Sequence, residues 1–127
     1  MKNKNQISKT TLKVLNRFKY LNYKRKVEEI NKNPDIFQFI DYKDKKHENI
    51  VSAAVSKNGY LLQFADTKFR DNLVIVNQAV EDFGFAIQFA SMRLRDNKTL
   101  ALKAIKTSGY IVKYLSDRLK SDKDIAE

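Results

Sequence analysis

The chain contains only three glycines, Gly59, Gly84 and Gly109, and they stand 25 residues apart. The residues around them repeat at the same interval. The units read KHENIVSAAVSKNGYLLQFADTKFR, DNLVIVNQAVEDFGFAIQFASMRLR and DNKTLALKAIKTSGYIVKYLSDRLK. Self-similarity at a period of about 20 to 50 residues marks a stacked repeat array. One such unit cannot bury its apolar face alone, so neighbours must stack to form a core.

Aligned positions define the elements. Ile50, Ile75 and Leu100 correspond, as do Val51, Val76 and Ala101. Ala54, Ala79 and Ala104 follow, then Val55, Val80 and Ile105. This i, i+1, i+4, i+5 stripe has a helical period and predicts a helix A in each unit. Helix A is expected to start near Glu48, Asn72 and Asn97, with Asp71 or Asp96 as caps. The glycine is expected to end it in the left-handed conformation of a C′ residue. The alanines are expected where adjacent helices approach closely.

After each glycine comes an aromatic residue, Tyr60, Phe85 or Tyr110. Leu62, Ile87 and Val112 follow, then Phe64, Phe89 and Tyr114, and Phe69, Leu94 and Leu119 close the segment. The spacing predicts a second helix, B. A degenerate unit lies upstream, where Gln38 and Phe39 align with Gln63/Phe64 and Gln88/Phe89, and Pro34 takes the glycine's place. Proline ends one helix and starts the next.

The expected fold is all-α: a short α-solenoid of helical hairpins of about 25 residues behind an N-terminal amphipathic basic helix. The expected organisation is a basic arm and helix at 1–33 and repeats at 34–127. The latter divide into a degenerate unit at 34–45, units at 46–70, 71–95 and 96–120, and a partial unit at 121–127.

Charge is unevenly placed. Of 25 bases, nine fall in residues 1–27 (Lys2, Lys4, Lys9, Lys13, Arg17, Lys19, Lys24, Arg25, Lys26) with no acid among them. The remaining sixteen bases face fifteen acids. From about Ser8 the arm reads as one long amphipathic helix, with Leu12, Val14, Leu15, Phe18, Leu21, Val27 and Ile30 on its apolar face. It can simply cover the end of the stack. It can also present Lys13, Arg17, Lys24, Arg25 and Lys26 to nucleic acid or to an acidic protein face.

A basic pair ends each helix B: Lys68/Arg70, Arg93/Arg95 and Arg118/Lys120. Bases near a helix C-terminus are favoured by the macrodipole. The same residues could form a ladder that follows phosphates. Tyr60, Phe85 and Tyr110 could stack bases or pack back on their own helix A.

Nothing points to catalysis. There is no cysteine, and His47 is the single histidine. It lacks the partners of a zinc site or a triad. No phosphate loop or nucleophile elbow is present. No enzyme activity, cofactor or metal site is expected. No apolar run reaches membrane-spanning length and no secretory leader is visible, so a cytoplasmic location is expected.

The pattern AV-x-x-x-G-[aromatic]-x-x-Q-F-A-[DS]-x-x-[FL]-R-D at Ala54–Asp71 and Ala79–Asp96 resembles an uncharacterised bacterial repeat domain of unknown function. The resemblance spans about Lys46 to Asp122. In the third unit Ile105, Lys113, Tyr114 and Leu115 depart from it. The resemblance implies tandem helical hairpins and brings no catalytic residues. The expected function is a non-enzymatic protein-binding module, such as a small inhibitor or adaptor acting on a larger nucleoprotein complex. Its partner would present an acidic or nucleic-acid-associated surface. Small phage-borne inhibitors of RNA-guided nucleases are of this kind. The alternative is direct nucleic-acid binding through the arm and the helix-end ladder.

Overall fold

The computed structural model describes residues 7–126. Lys2 and Lys4 of the basic arm lie outside the described residues. Among the described residues every regular element is helical and no strand occurs. The N-terminal region is two helices, α1 (Lys9–Phe18) and α2 (Tyr23–Lys32). The expected single helix from Ser8 is therefore broken. Its break is the cap of α2: the Asn22 side chain accepts from the Arg25 amide, and a capping residue has extended backbone.

From α2 onward the chain repeats. The 3₁₀ segment Pro34–Phe39 and the four-residue helix α3 (Tyr42–Lys45) complete a first unit. The next comprises α4 (Glu48–Lys57), the 3₁₀ segment Gly59–Phe64 and α5 (Thr67–Arg70). A third comprises α6 (Leu73–Asp82), Gly84–Phe89 and α7 (Met92–Arg95). A fourth comprises α8 (Lys98–Ile105), Gly109–Tyr114 and α9 (Asp117–Lys120), and α10 (Lys123–Ala126) follows. Asn22 stands at the place of Asn72 and Asn97, so α2 is the helix A of the first unit.

Helix B is not one helix. Ala65, Ala90 and Leu115 are extended, and the next residue of each unit caps a separate short helix. Asp66 accepts from the Lys68 amide, Ser91 from Leu94 and Ser116 from Leu119. Before that break the chain closes with i→i+3 bonds, such as Leu61 N–H to Asn58 and Ala65 N–H to Leu62, and so forms a 3₁₀ turn. The helix A caps also differ from expectation. Asn72 and Asn97 accept from Ile75 and Leu100, and Asp71 and Asp96 are used elsewhere.

The long helices α2, α4, α6 and α8 stack in one row, and the 3₁₀ segments stack in a second row beside it. The core lies between the rows. Ile50, Val51, Ala54, Val55, Leu62, Val76, Ala79, Ile87, Ala101, Ala104 and Ile111 are fully enclosed.

The glycines do not stop helices in a left-handed conformation, since no described glycine has a positive φ. Their reason is contact between units. A Cβ on Gly59 would overlap the carbonyl oxygen of Ala79 in the next unit and come within 3.0 Å of Phe83 Cβ. A Cβ on Gly84 would lie 2.9 Å from the carbonyl oxygen of Ala104 and overlap Thr107 Oγ1. A Cβ on Gly109 would meet nothing within 4 Å. The carbonyls of Ala79 and Ala104 are thus where the glycine of the preceding unit's 3₁₀ segment meets the next helix.

The first unit departs from the pattern inside. Lys26 occupies the place of Val51 and Val76, and Asp44 that of Phe69 and Leu94. Both are buried, with Lys26 Nζ 2.9 Å from Asp44 Oδ1. Phe18 of α1 covers the pair, its ring centroid 5.5 Å from Nζ.

Two outcomes follow for stability, read by chemical denaturation. Gly59→Ala and Gly84→Ala should each cost about 1–3 kcal/mol through overpacking. Gly109→Ala should be neutral or gain up to about 1 kcal/mol; equal losses at all three positions would refute the contact account. Lys26→Ala should cost about 3–5 kcal/mol by stranding a buried carboxylate, whereas the double change Lys26→Val/Asp44→Leu should be near neutral or stabilising.

Candidate binding surfaces

The basic arm is less uniform than its sequence. Lys26 is withdrawn from the surface set, because its ammonium is committed to Asp44 in the interior. Arg17 donates to Glu29 Oε1 at 2.9 Å, and Asn33 donates to the same oxygen at 3.2 Å. Arg17 and Arg25 line a depression of about 310 Å³ with Leu21, Glu28, Glu29 and Lys32, so two carboxylates share that patch. Lys13, Lys24 and Arg25 are exposed and form no ion pair among the described residues. Lys13 and Lys24 do not line the depression.

The helix-end bases are partly engaged within the protein. Arg93 reaches back to Asp71, the C-cap of α5: its Nε donates to Asp71 Oδ1 at 2.9 Å and its Nη2 to the Asp71 carbonyl at 2.6 Å. Ser91 Oγ donates to the same carboxylate at 2.6 Å, and the Ser91 amide donates to the Arg70 carbonyl. The next junction repeats this clip with Asp96, Ser116 and Arg118. Arg70 and Arg95 are half-buried, and each Nε is enclosed without a partner. Lys68 lies 4.9 Å from the Phe69 ring centroid, and Lys120 is 3.9 Å from Asp117. Arg93 and Arg118 thus tie neighbouring units together, and the six bases do not form an uninterrupted open ladder. At the first junction Asp66 replaces the serine and accepts from the Tyr42 hydroxyl at 2.7 Å. That bond holds the Asp66 carboxyl below its ordinary range and pushes the Tyr42 hydroxyl up.

The 3₁₀ row carries a surface that the sequence reading left undeveloped. Tyr60 and Tyr110 are well exposed, at 49% and 79%, so neither folds wholly back onto its helix A. The rings of Tyr60 and Phe64 are 6.4 Å apart, those of Tyr60 and Phe89 5.9 Å, and those of Phe85 and Tyr114 6.4 Å. Phe83 connects them, 6.3 Å from Tyr60 and 5.8 Å from Phe85. The ribbon crosses three units. Between Gln38/Phe39 and Tyr60/Gln63/Phe64 it opens into a groove of about 690 Å³. The signal was available: Gln38, Gln63 and Gln88 recur at 25 residues, each followed by phenylalanine.

His47 is exposed and sits edge-on to Tyr23, with ring centroids 4.8 Å apart. Among the described residues no three histidine or acidic side chains gather as metal ligands. No described helix is long and apolar enough to cross a membrane.

These features define an all-α helical-repeat protein whose units are tied by glycine contacts and Asp–Ser–Arg clips. The chain belongs to the DUF4116 family, a domain of unknown function, which it matches over residues 30–70, 75–119 and 97–127. No curated protein and no solved structure matches it.

The clips carry a pH signature. Asp71 and Asp96 are held below the ordinary carboxylate range, first by the serine hydroxyl and then by the arginine. A depressed folded pKa contributes stability above the unfolded value, and that contribution is lost as pH falls through the folded value. Melting temperature should therefore drop below about pH 4. Asp71→Asn/Asp96→Asn should show a shallower acid dependence; an unchanged acid limb would contradict the clip.

Proposed function

We propose that the protein is a non-enzymatic module that binds another protein, acting as an inhibitor or adaptor on a larger nucleoprotein complex. The observation that supports this most is the partly exposed aromatic ribbon of the 3₁₀ row. Aromatic side chains are enriched at the centres of protein interfaces and depleted on ordinary surface. A contiguous exposed apolar patch rimmed by polar groups marks an interaction site. The unpaired Lys13, Lys24 and Arg25 then serve association rate and orientation toward an acidic or nucleic-acid-bearing partner, as rim charges do. The proposal takes the protein to be cytoplasmic.

Direct nucleic-acid binding is the alternative, favoured by the excess of unpaired bases on α1 and α2. The clips weigh against extending that surface along the stack, since Arg93 and Arg118 already hold carboxylates.

Affinity purification from the native cells, with and without nuclease, separates the two when run with variants. Tyr60→Ser/Tyr110→Ser changes exposed residues and should weaken capture of a nuclease-resistant protein partner about 10- to 100-fold. Lys13→Glu/Lys24→Glu/Arg25→Glu should slow association and leave the complex intact. Loss of the partner on nuclease treatment or charge reversal, with the tyrosine variant unaffected, would overturn the proposal in favour of nucleic acid.

A further inference from the structure

The ribbon is more than an apolar patch. The two central units present the same trio: an aromatic residue (Tyr60, Phe85), an amide three residues on (Gln63, Gln88), and a second aromatic beside it (Phe64, Phe89); Tyr110 and Tyr114 continue the two aromatic rows in the fourth unit. Gln38 and Phe39 extend the last two rows into the first unit, and Lys113 ends the amide row.

The three glutamines of this row are held the same way. Nε2 donates to the carbonyl three residues back, at 3.3 Å in Gln38, 3.2 Å in Gln63 and 3.0 Å in Gln88. A carboxamide has two N–H donors and a carbonyl acceptor. The second donor and the acceptor make no bond among the described residues. The result is a row of oriented, half-exposed amides between two rows of rings. The rings meet at steep angles, 72° for Tyr60 and Phe64, 85° for Tyr60 and Phe89, and 78° for Phe85 and Tyr114. They form corners, which suit a compact saturated group better than a flat base.

The chemistry of the row selects among peptide forms. An amphipathic helix satisfies its own backbone and leaves nothing for the amides. Strand addition needs a sheet edge, and the described residues contain no strand. A polyproline II segment has no internal hydrogen bonds, so its carbonyls are free to accept, and its pyrrolidine rings dock into aromatic-lined grooves. A single-stranded nucleic acid would need a run of cationic side chains alongside the stacking rings; the trios of the two central units contain none, and the groove has Lys32 alone, offset by Asp35.

We propose, on the protein-binding reading above, that the 3₁₀ row, from the groove between its first two units along the exposed surface to Lys113, is a docking track for an extended proline-rich segment of the partner. Its prolines fill the ring corners, and its carbonyls accept from Gln38, Gln63 and Gln88. An acidic residue of the segment faces Lys113, so the track reads the direction of the peptide.

Fluorescence anisotropy tests this with a labelled oligoproline ending in two glutamates, the same peptide with alanine for proline, one ending in lysines, and oligothymidine. The proline peptide should bind at least about tenfold more tightly than the alanine peptide. Lysine ends should weaken binding about two- to fivefold, as an exposed ion pair does. Gln63→Ala/Gln88→Ala should weaken it about tenfold, two hydrogen bonds being lost, with an unchanged melting temperature. Tyr60→Leu, which keeps an apolar side chain, should also weaken it. Equal binding of the proline and alanine peptides, no binding of either, tighter binding of oligothymidine, or indifference to the glutamine variant would overturn the proposal. If the proline probe fails while Tyr60→Ser/Tyr110→Ser still releases the protein partner, only the peptide class is wrong. If the tyrosine variant retains the partner, the ribbon as a protein site fails as well.

Discussion

Where Gly59 lies against the Ala79 carbonyl, and Gly84 against that of Ala104, the backbone of one unit touches the backbone of the next. Close packing leaves no room for a side chain there, and interiors do not deform cheaply to make it. That contact sets the separation of neighbouring units. With it fixed, the long helices stack in a row and enclose Ala54, Ala79 and Ala104 together with their β-branched neighbours. The 3₁₀ segments are brought side by side at the same interval. The Asp71–Ser91–Arg93 and Asp96–Ser116–Arg118 clips fasten the opposite end of each unit. Both junctions among the last three units are therefore held at two places, one made of shape and one of charge.

The first unit follows a different internal logic. Where later units bury valine or alanine with phenylalanine or leucine, it buries Lys26 against Asp44 under Phe18. A buried ion pair is costly to desolvate and seldom adds stability over an apolar pair. It does make this unit chemically unlike its neighbours, since Lys26 of α2 and Asp44 of α3 satisfy each other's charge. Together with Arg17–Glu29, it means that part of the arm's excess of base serves the end of the stack, and only Lys13, Lys24, Arg25 and their exposed neighbours remain for a partner.

Much of this was legible in the residues, and the failures have physical causes. The period and the apolar stripe of helix A follow from one unit's need to stack on another. Glycine is ambiguous, because a left-handed turn and a close backbone approach both require it, and only the φ angles and the contacts of Gly59 and Gly84 decide for the second. Asp66, Ser91 and Ser116 were visible capping residues, but the apolar spacing around them fits a continuous helix as well as a 3₁₀ turn followed by a short one. The break at Asn22 follows from carrying the period upstream to Asn72 and Asn97. Lys26 looked like surface because its counter-charge is eighteen residues away, although both residues align with apolar positions. The glutamine row was noted only as an aid to alignment, since a pinned amide becomes a feature only once the units lie side by side.

A repeat that spaces its units rigidly also spaces whatever they display. In this protein the displayed set is rings and amides on one side, with a smaller basic patch at one end. Amide hydrogen exchange of the free protein and of its complex with the captured partner tests that account most directly. Protection on binding should fall in Pro34–Phe39, Gly59–Phe64 and Gly84–Phe89. Protection confined to α1 and α2 would contradict it and place the working surface on the basic arm.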